Sequence, residues 1–277
     1  MPSLQPPIVL SFAATDPTGG AGIQADLLTL SGMGCHALTV VTAITVQDTA
    51  GVEDMMPIEA DWVIDQARVL LEDMPVAAFK IGLVGSVENI AAIAEVVSDY
   101  PDVPLILDPV LASGRGDEMA TEDMIAAMRE LLIPQTTIIT PNSVEARRLA
   151  DDGSDEERSL DDCAKRILEM GCEYVLITGT HENTPQVINT LYGQQGVIRS
   201  DGWQRLPGSF HGSGCTLASA IAATLANGLD LPEAVREAQE YTWQTLNAGF
   251  RLGMGQHIPD RFFWAREAED DETSEED

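Results

Sequence analysis

Residues 8–14 (IVLSFAA) form an apolar run that breaks at Asp16-Pro17-Thr18-Gly19-Gly20. Ile23, Leu27, Leu28 and Leu30 then recur at helical spacing. The pattern predicts a strand, a glycine-rich turn and a helix over about 21–34. A β-rich run follows at 37–46, a helix at 62–71, a strand at 77–83, a helix at 90–97 and a strand at 104–107. Residues 121–132 read as a helix, 137–140 as a strand, 144–149 and 159–170 as helices, and 174–178 as a strand. Strands alternating with helices predict a mostly parallel sheet covered on both faces. The alternation then changes: 186–192 and 196–206 read as two strands around a turn, hence an antiparallel edge. Two long helices, 215–227 and 232–250, close the pattern, and no repeat of solenoid length is visible.

Composition narrows the function classes. Of 277 residues, 44% are hydrophobic, enough for a core that needs neither disulfides nor a structural metal. The cysteines Cys35, Cys163, Cys172 and Cys215 include no C-x-x-C pair, and the first three read as small apolar fillers. Forty-five acidic against 15 basic side chains give a net charge of −30, which argues against nucleic-acid or anionic-membrane partners. No apolar run reaches the roughly 18–20 residues of a membrane span, and MPSLQPP has no basic region of a secretory signal. The expectation is a cytoplasmic protein. Lysine occurs only at Lys80 and Lys165, and an acid-rich, lysine-poor surface is the kind that salt screens, so a salty host cytoplasm is expected. The last twelve residues hold eight acids, so 266–277 is expected to be a disordered tail on a single domain over 1–265. The acidic run 151–158 reads as an exposed loop.

Four segments could carry chemistry. His211-Gly212-Ser213-Gly214-Cys215-Thr216 precedes a helix of small residues. Glycines let backbone N–H groups converge, and a helix start adds unsatisfied donors and positive dipole, a pocket for anionic oxygen. Cys215 at the helix start would then have a lowered pKa; the alternative is a tight helix entry with a filler cysteine. Asp16 to Gly22 lies at a strand-to-helix junction, where ligands of α/β sheets bind, but matches neither a P-loop nor G-x-G-x-x-G. In Thr140-Pro141-Asn142-Ser143-Val144-Glu145, the amide and carboxylate suit Mg²⁺ beside a nucleotide, or Asn142 and Glu145 form a capping box. Asp108-Pro109-Val110 sets another carboxylate at a strand end, and Lys80 on its strand is either a functional cation or a snorkelling side chain.

The motifs A-T-D-P-T-G-G-A-G-I-Q-A-D, T-A-I-T-V-Q-D, F-K-I-G-L, D-P-V, I-T-P-N-S-V-E-A and H-G-S-G-C-T-L-A-S-A-I-A-A, in this order from about residue 8 to 255, resemble the hydroxymethylpyrimidine and phosphomethylpyrimidine kinases of thiamine biosynthesis, in the ribokinase-like superfamily. The resemblance implies a three-layer α/β/α fold without a separate lid domain. It implies ATP-dependent phosphorylation of 4-amino-5-hydroxymethyl-2-methylpyrimidine, then of its monophosphate to the diphosphate. It further implies that Gly212, Ser213, Gly214 and Cys215 hold the transferring phosphoryl group, with Cys215 as base or proton relay. Gln47 would hydrogen-bond the pyrimidine, with Asp26, Gly19, Gly20, Gly22 and Val110 bordering it. Asn142, Glu145, Thr178 and Gly179 would serve ATP, and Glu145 with Asp108 would serve Mg²⁺, directly or through water. Many members carry Lys-Gly-Gly-His where this chain has Thr178-Gly179-Thr180-His181, so the missing ammonium calls for another cation, K⁺ or Mg²⁺. The family also implies a homodimer. Pyridoxal kinase is the alternative within the class, and a catalytically silent pyrimidine sensor the alternative outside it.

Overall fold

Side-chain alternation along the central strands decides which helices lie on which face. The computed structural model describes residues 5–114, 116–153 and 158–266. Along the chain run β1 (Ile8–Ala13), α1 (Gly22–Gly32), β2 (His36–Val41), β3 (Ala43–Gln47), β4 (Val52–Pro57), α2 (Ala60–Asp73), β5 (Ala78–Ile81), α3 (Val87–Ser98) and β6 (Leu105–Leu107). They continue with α4 (Glu122–Ala127), β7 (Ile138–Ile139), α5 (Ser143–Leu149), α6 (Leu160–Glu169), β8 (Tyr174–Ile177), β9 (Gln186–Gly193), β10 (Gly196–Gln204), α7 (Ser213–Ala226) and α8 (Leu231–Asn247).

Eight strands form one sheet in the order β10-β9-β8-β7-β6-β5-β1-β2. Every pairing from β2 across to β8 is parallel, and β9 and β10 add the expected antiparallel edge. With a period of two, Leu10, Phe12, Phe79, Ile81 and Leu107 point to one face, where Val63, Ile90, Ile93 and Ile167 of α2, α3 and α6 cover them. Val9, Ala78, Ile106, Ile138 and Leu176 point to the other, against α7 and α8. Ala218, Ala220, Ala222 and Ala223 of α7 are all fully buried. Their small side chains let α7 run close to the sheet, between α1 and α8.

Three features differ from the pattern. The run 37–46 is not one strand, because the chain leaves the sheet at Thr42, whose Oγ1 donates to Leu83 O at 2.6 Å. Its second half, β3, pairs instead with β4 in a two-stranded antiparallel sheet. The predicted helix 121–132 ends early: α4 passes into a π turn over Met128–Leu132 and a 3₁₀ turn over Ile133–Gln135, where Pro134 has no N–H to continue it. Of the acidic loop, Asp151, Asp152 and Gly153 are exposed, and 154–157 lie outside the described residues, as do 267–277 of the expected tail. No helix among the described residues is long and apolar enough to cross a membrane.

Candidate active site

The parallel strands end at a cavity of about 760 Å³, lined by Ala14 and Thr15 after β1, Asp108 after β6, Thr140 after β7 and Thr178 after β8. This is the carboxyl edge at which open α/β sheets bind ligands. The β3–β4 hairpin contributes Thr45, Gln47 and Val52, and the turn into α7 contributes Gly212, Ser213, Gly214 and Cys215.

Gly212 is the N-cap of α7, left-handed at φ 75° and ψ 20°. Its carbonyl accepts from Thr216 N at 2.9 Å and Thr216 Oγ1 at 2.8 Å. No side chain caps the helix, so the N–H groups of its first turn have no intrahelical partner and can serve an anion. A Cβ on Gly212 would overlap Gly20 O. The strained φ and the overlap together forbid alanine. Gly212→Ala is expected to displace the turn and cut kcat about 10²-fold, measured with saturating substrates. Parental kcat would show that the turn does not position the reacting group.

The loop opposite is organised by Asp16, fully buried. It accepts from Thr18 N at 2.8 Å, Thr18 Oγ1 at 2.9 Å, Ala21 N at 2.6 Å and His211 Nε2 at 2.8 Å. Burial works against the carboxylate, but the His211, Thr18 and Ala21 hydrogen bonds prevail and hold its pKa below the ordinary value. Asp16 therefore ties the glycine-rich loop to the residue that enters the turn.

Four ionisable groups meet at the cavity floor and just beneath it. Lys80 is fully buried and does not snorkel: Nζ donates to Asp26 Oδ2 at 2.9 Å. Burial opposes the ammonium, yet Asp26, Cys215 and Asp108 hold its pKa above the ordinary value. Burial raises Asp108 above the usual carboxylate range, while Lys80 and a hydrogen bond with Cys215 pull it down. The expectation of a lowered thiol pKa is corrected. Burial, then Asp108, push Cys215 up to about 12, outweighing Lys80 and the Gly22 N–H. Desolvation here exceeds what a helix start supplies.

Asn142 and Glu145 do form the capping box. Asn142 Oδ1 accepts from Val144 N at 2.9 Å and Glu145 N at 3.0 Å, and Glu145 Oε2 accepts from Asn142 N at 2.9 Å. Both also line the cavity. Burial, then Asp108, push Glu145 up to about 8, and the buried Asp108 Oδ2 has no hydrogen-bond partner. Two desolvated carboxylates, one with an orphaned oxygen, fit a divalent cation. Among the described residues no three ligating side chains cluster, so an ion held here would need water or phosphate ligands besides.

The remaining expected residues divide. Gly22, Gln47, Val110 and Thr178 line the cavity; Gly19 and Gly20, expected to border the substrate, and Gly179 do not. Gly179 is needed because a Cβ would overlap Ile188 O. Asp26 does not border the substrate pocket: it is fully buried, accepting from Ser11 Oγ at 2.6 Å and Ser219 Oγ at 2.7 Å besides Lys80. α1 turns this carboxylate toward the sheet instead of the cavity. Gln47 Nε2 donates to Thr45 Oγ1 at 2.8 Å, so its Oε1 is placed to accept from an amino group. Gln47→Ala is expected to raise KM for the pyrimidine about tenfold and leave KM for ATP within about twofold. Equal loss of both would remove Gln47 from the acceptor site.

Sequence comparison agrees with this geometry. The profile of the phosphomethylpyrimidine kinase family matches residues 16–260, and the chain belongs to that family. The hydroxymethylpyrimidine/phosphomethylpyrimidine kinase of Streptomyces coelicolor is 37% identical, over 92% of this chain and 94% of the relative. The thiamine biosynthesis bifunctional protein ThiED of Geobacter sulfurreducens is 34% identical, over 89% of this chain and 50% of that longer protein. Among solved structures, the ADP complex of Bacillus subtilis pyridoxal kinase superposes with a TM-score of 0.85 at 28% identity, covering 95% of this chain and 100% of that one. The protein is thus a kinase with a ribokinase-like fold.

Proposed function

We propose that this kinase phosphorylates 4-amino-5-hydroxymethyl-2-methylpyrimidine with ATP, and then the monophosphate to the diphosphate, as a step toward thiamine diphosphate. The observation that carries the reading is the start of α7, which no side chain caps and whose Gly214 faces Asp108, with room for a Cβ 3.7 Å from Oδ1. Phosphoryl transfer asks a protein chiefly for positioning and charge stabilisation.

The N–H groups of Ser213, Gly214 and Cys215 hold the migrating phosphoryl group at the positive end of α7. Gln47 orients the pyrimidine. Glu145 and Asp108 would hold Mg²⁺, directly or through water, and the ion would supply neutralisation of phosphate charge. Cys215 is a thiol at neutral pH and acts as a relay: Sγ takes the hydroxyl proton while its own proton passes to Asp108. Asn142 and Thr178 border the nucleotide phosphates.

A ³¹P NMR time course with the pyrimidine alcohol, ATP and Mg²⁺ is expected to show monophosphate and then diphosphate, and no product after EDTA. The likeness to a pyridoxal kinase structure favours one other acceptor, pyridoxal; turnover of pyridoxal without turnover of the pyrimidine would replace the reading. The acid-rich composition belongs to a salt-adapted protein in this account. The midpoint of thermal unfolding is expected to rise by more than about 3 °C between dilute buffer and molar KCl. An unchanged midpoint would remove the salt adaptation.

A further inference from the structure

Arg261 lies just beyond the matched family region, and its exposure is only 2%. The segment carrying it is strapped beside the cavity. His257 N donates to Ser209 O at 2.9 Å, His257 O accepts from His211 N at 2.8 Å, and Asp260 N donates to Thr245 O at 2.9 Å. Tyr241 Oη donates to Arg261 O at 3.0 Å. The side chain is thereby delivered beneath the turn into α7.

Its guanidinium donates through Nη1 to Gly19 O at 3.3 Å and through Nη2 to Gly20 O at 2.6 Å. Nε and Nη2 also donate to Thr216 Oγ1, at 3.1 and 2.9 Å. These partners are two carbonyls and a hydroxyl, none a carboxylate. In a chain with 45 acidic residues, a buried guanidinium that faces backbone oxygen is costly. The planar fork explains how the hydrogen bonds are satisfied; no carboxylate touches it, and Asp26 and Asp16 act on its charge only from beyond hydrogen-bond contact, too weakly to offset burial, which holds its pKa below the ordinary value.

The contacts fall on both halves of the cradle. Thr216 Oγ1 passes the chain of hydrogen bonds to Gly212 O, the N-cap carbonyl of α7. Gly20 O is the atom against which Gly212 packs so closely that only glycine fits. A single side chain thus sets the distance between the Gly19–Gly20 loop and the first turn of α7, and places a fixed positive charge behind the turn's N–H groups.

We propose that Arg261 is a positioning residue of the phosphoryl cradle, holding the loop and the helix turn in register and leaving its charge to be answered by the incoming phosphoryl group. The inference rests on the reading of the Gly212–Cys215 turn as that cradle. Lysine, a point donor without the fork, would keep the charge and lose the register.

The test uses the full chain with saturating ATP and Mg²⁺. Arg261→Ala is expected to lower kcat about 10²-fold, with KM for the pyrimidine alcohol within about twofold of the parent. Millimolar guanidinium is expected to restore part of kcat, and equal methylammonium to restore less. A merely structural role predicts no rescue, because guanidinium weakens folded proteins generally. Thr216→Val cuts the link to Gly212 O at nearly unchanged volume and is expected to lower kcat about tenfold; it decides the matter if Arg261→Ala does not fold. Parental kcat in either variant, or an unrescued loss with KM raised in parallel, overturns the inference. Gly212→Ala measured alongside separates the two levels. If it loses turnover while the Arg261 and Thr216 variants keep theirs, only this inference falls; if it keeps parental turnover, the cradle reading falls and takes the inference with it.

Discussion

Cys215→Ala is expected to lower kcat about 10³-fold while the pyrimidine and ATP still bind with near-parental affinity. The thiol stands at the third position of α7, beside the Asp108 carboxylate, and each shifts the pKa of the other. It takes part in proton movement and contributes little to ground-state binding. Because burial and Asp108 push it up to about 12, a thiolate is scarce at neutral pH, and the sulfur must give a proton as it takes one. Serine can do the same with its hydroxyl. Cys215→Ser is therefore expected to retain turnover well above Cys215→Ala, whereas a mechanism that needs a preformed thiolate predicts that serine is as inactive as alanine. Steady-state kinetics of the two variants, with binding followed by calorimetry, decides between them.

Lys80→Met is expected to destabilise the fold by about 3–5 kcal/mol, the cost of stranding one partner of a buried ion pair. Asp26 would keep its hydrogen bonds from Ser11 and Ser219 but lose the ammonium at 2.9 Å, in a site that water does not reach. The four residues belong to β1, α1, β5 and α7, so the network joins α1 and α7 to the sheet beneath the cavity. The double variant Lys80→Met/Asp26→Leu removes the stranded charge and is expected to recover most of the loss. Denaturant unfolding of the three proteins measures this. A single variant within about 1 kcal/mol of the parent would mean that the pair is only a surface-like contact.

The elements that build the cavity floor are legible in the sequence because each is a short apolar run ending in a residue of distinct chemistry: Asp108, Thr140 and Thr178 each follow such a run. The turn at Gly212 is legible as a turn for the same reason, while its glycines alone leave an anion pocket and a tight helix entry both open. Side-chain direction is less legible. Motif proximity places Asp26 beside the glycine loop, but only the packing of α1 shows that it faces Lys80. Lys80 itself carries a usable signal: period-two alternation puts it on the face of Ala78, beneath α7, where a stem cannot reach solvent. β4 escapes the pattern because V-E-D-M-M-P carries two adjacent acids and ends in proline, and it is held by pairing with β3 instead of by a buried face. The Cys215 thiol shifts opposite to expectation because the helix start is visible in sequence and the desolvation by surrounding chain is not. Arg261 has no signal at all, since its partners, the Thr216 hydroxyl and the Gly19 and Gly20 carbonyls, lie 45, 242 and 241 positions away.

The most direct test of the central claim is a crystal structure of the full chain with a non-hydrolysable ATP analogue, Mg²⁺ and the pyrimidine alcohol. The account predicts the terminal phosphate within hydrogen-bond distance of the N–H groups of Ser213, Gly214 and Cys215, the alcohol oxygen beside Cys215 Sγ, and the pyrimidine against Gln47. Both molecules bound in the cavity with the terminal phosphate turned away from the start of α7 would contradict it.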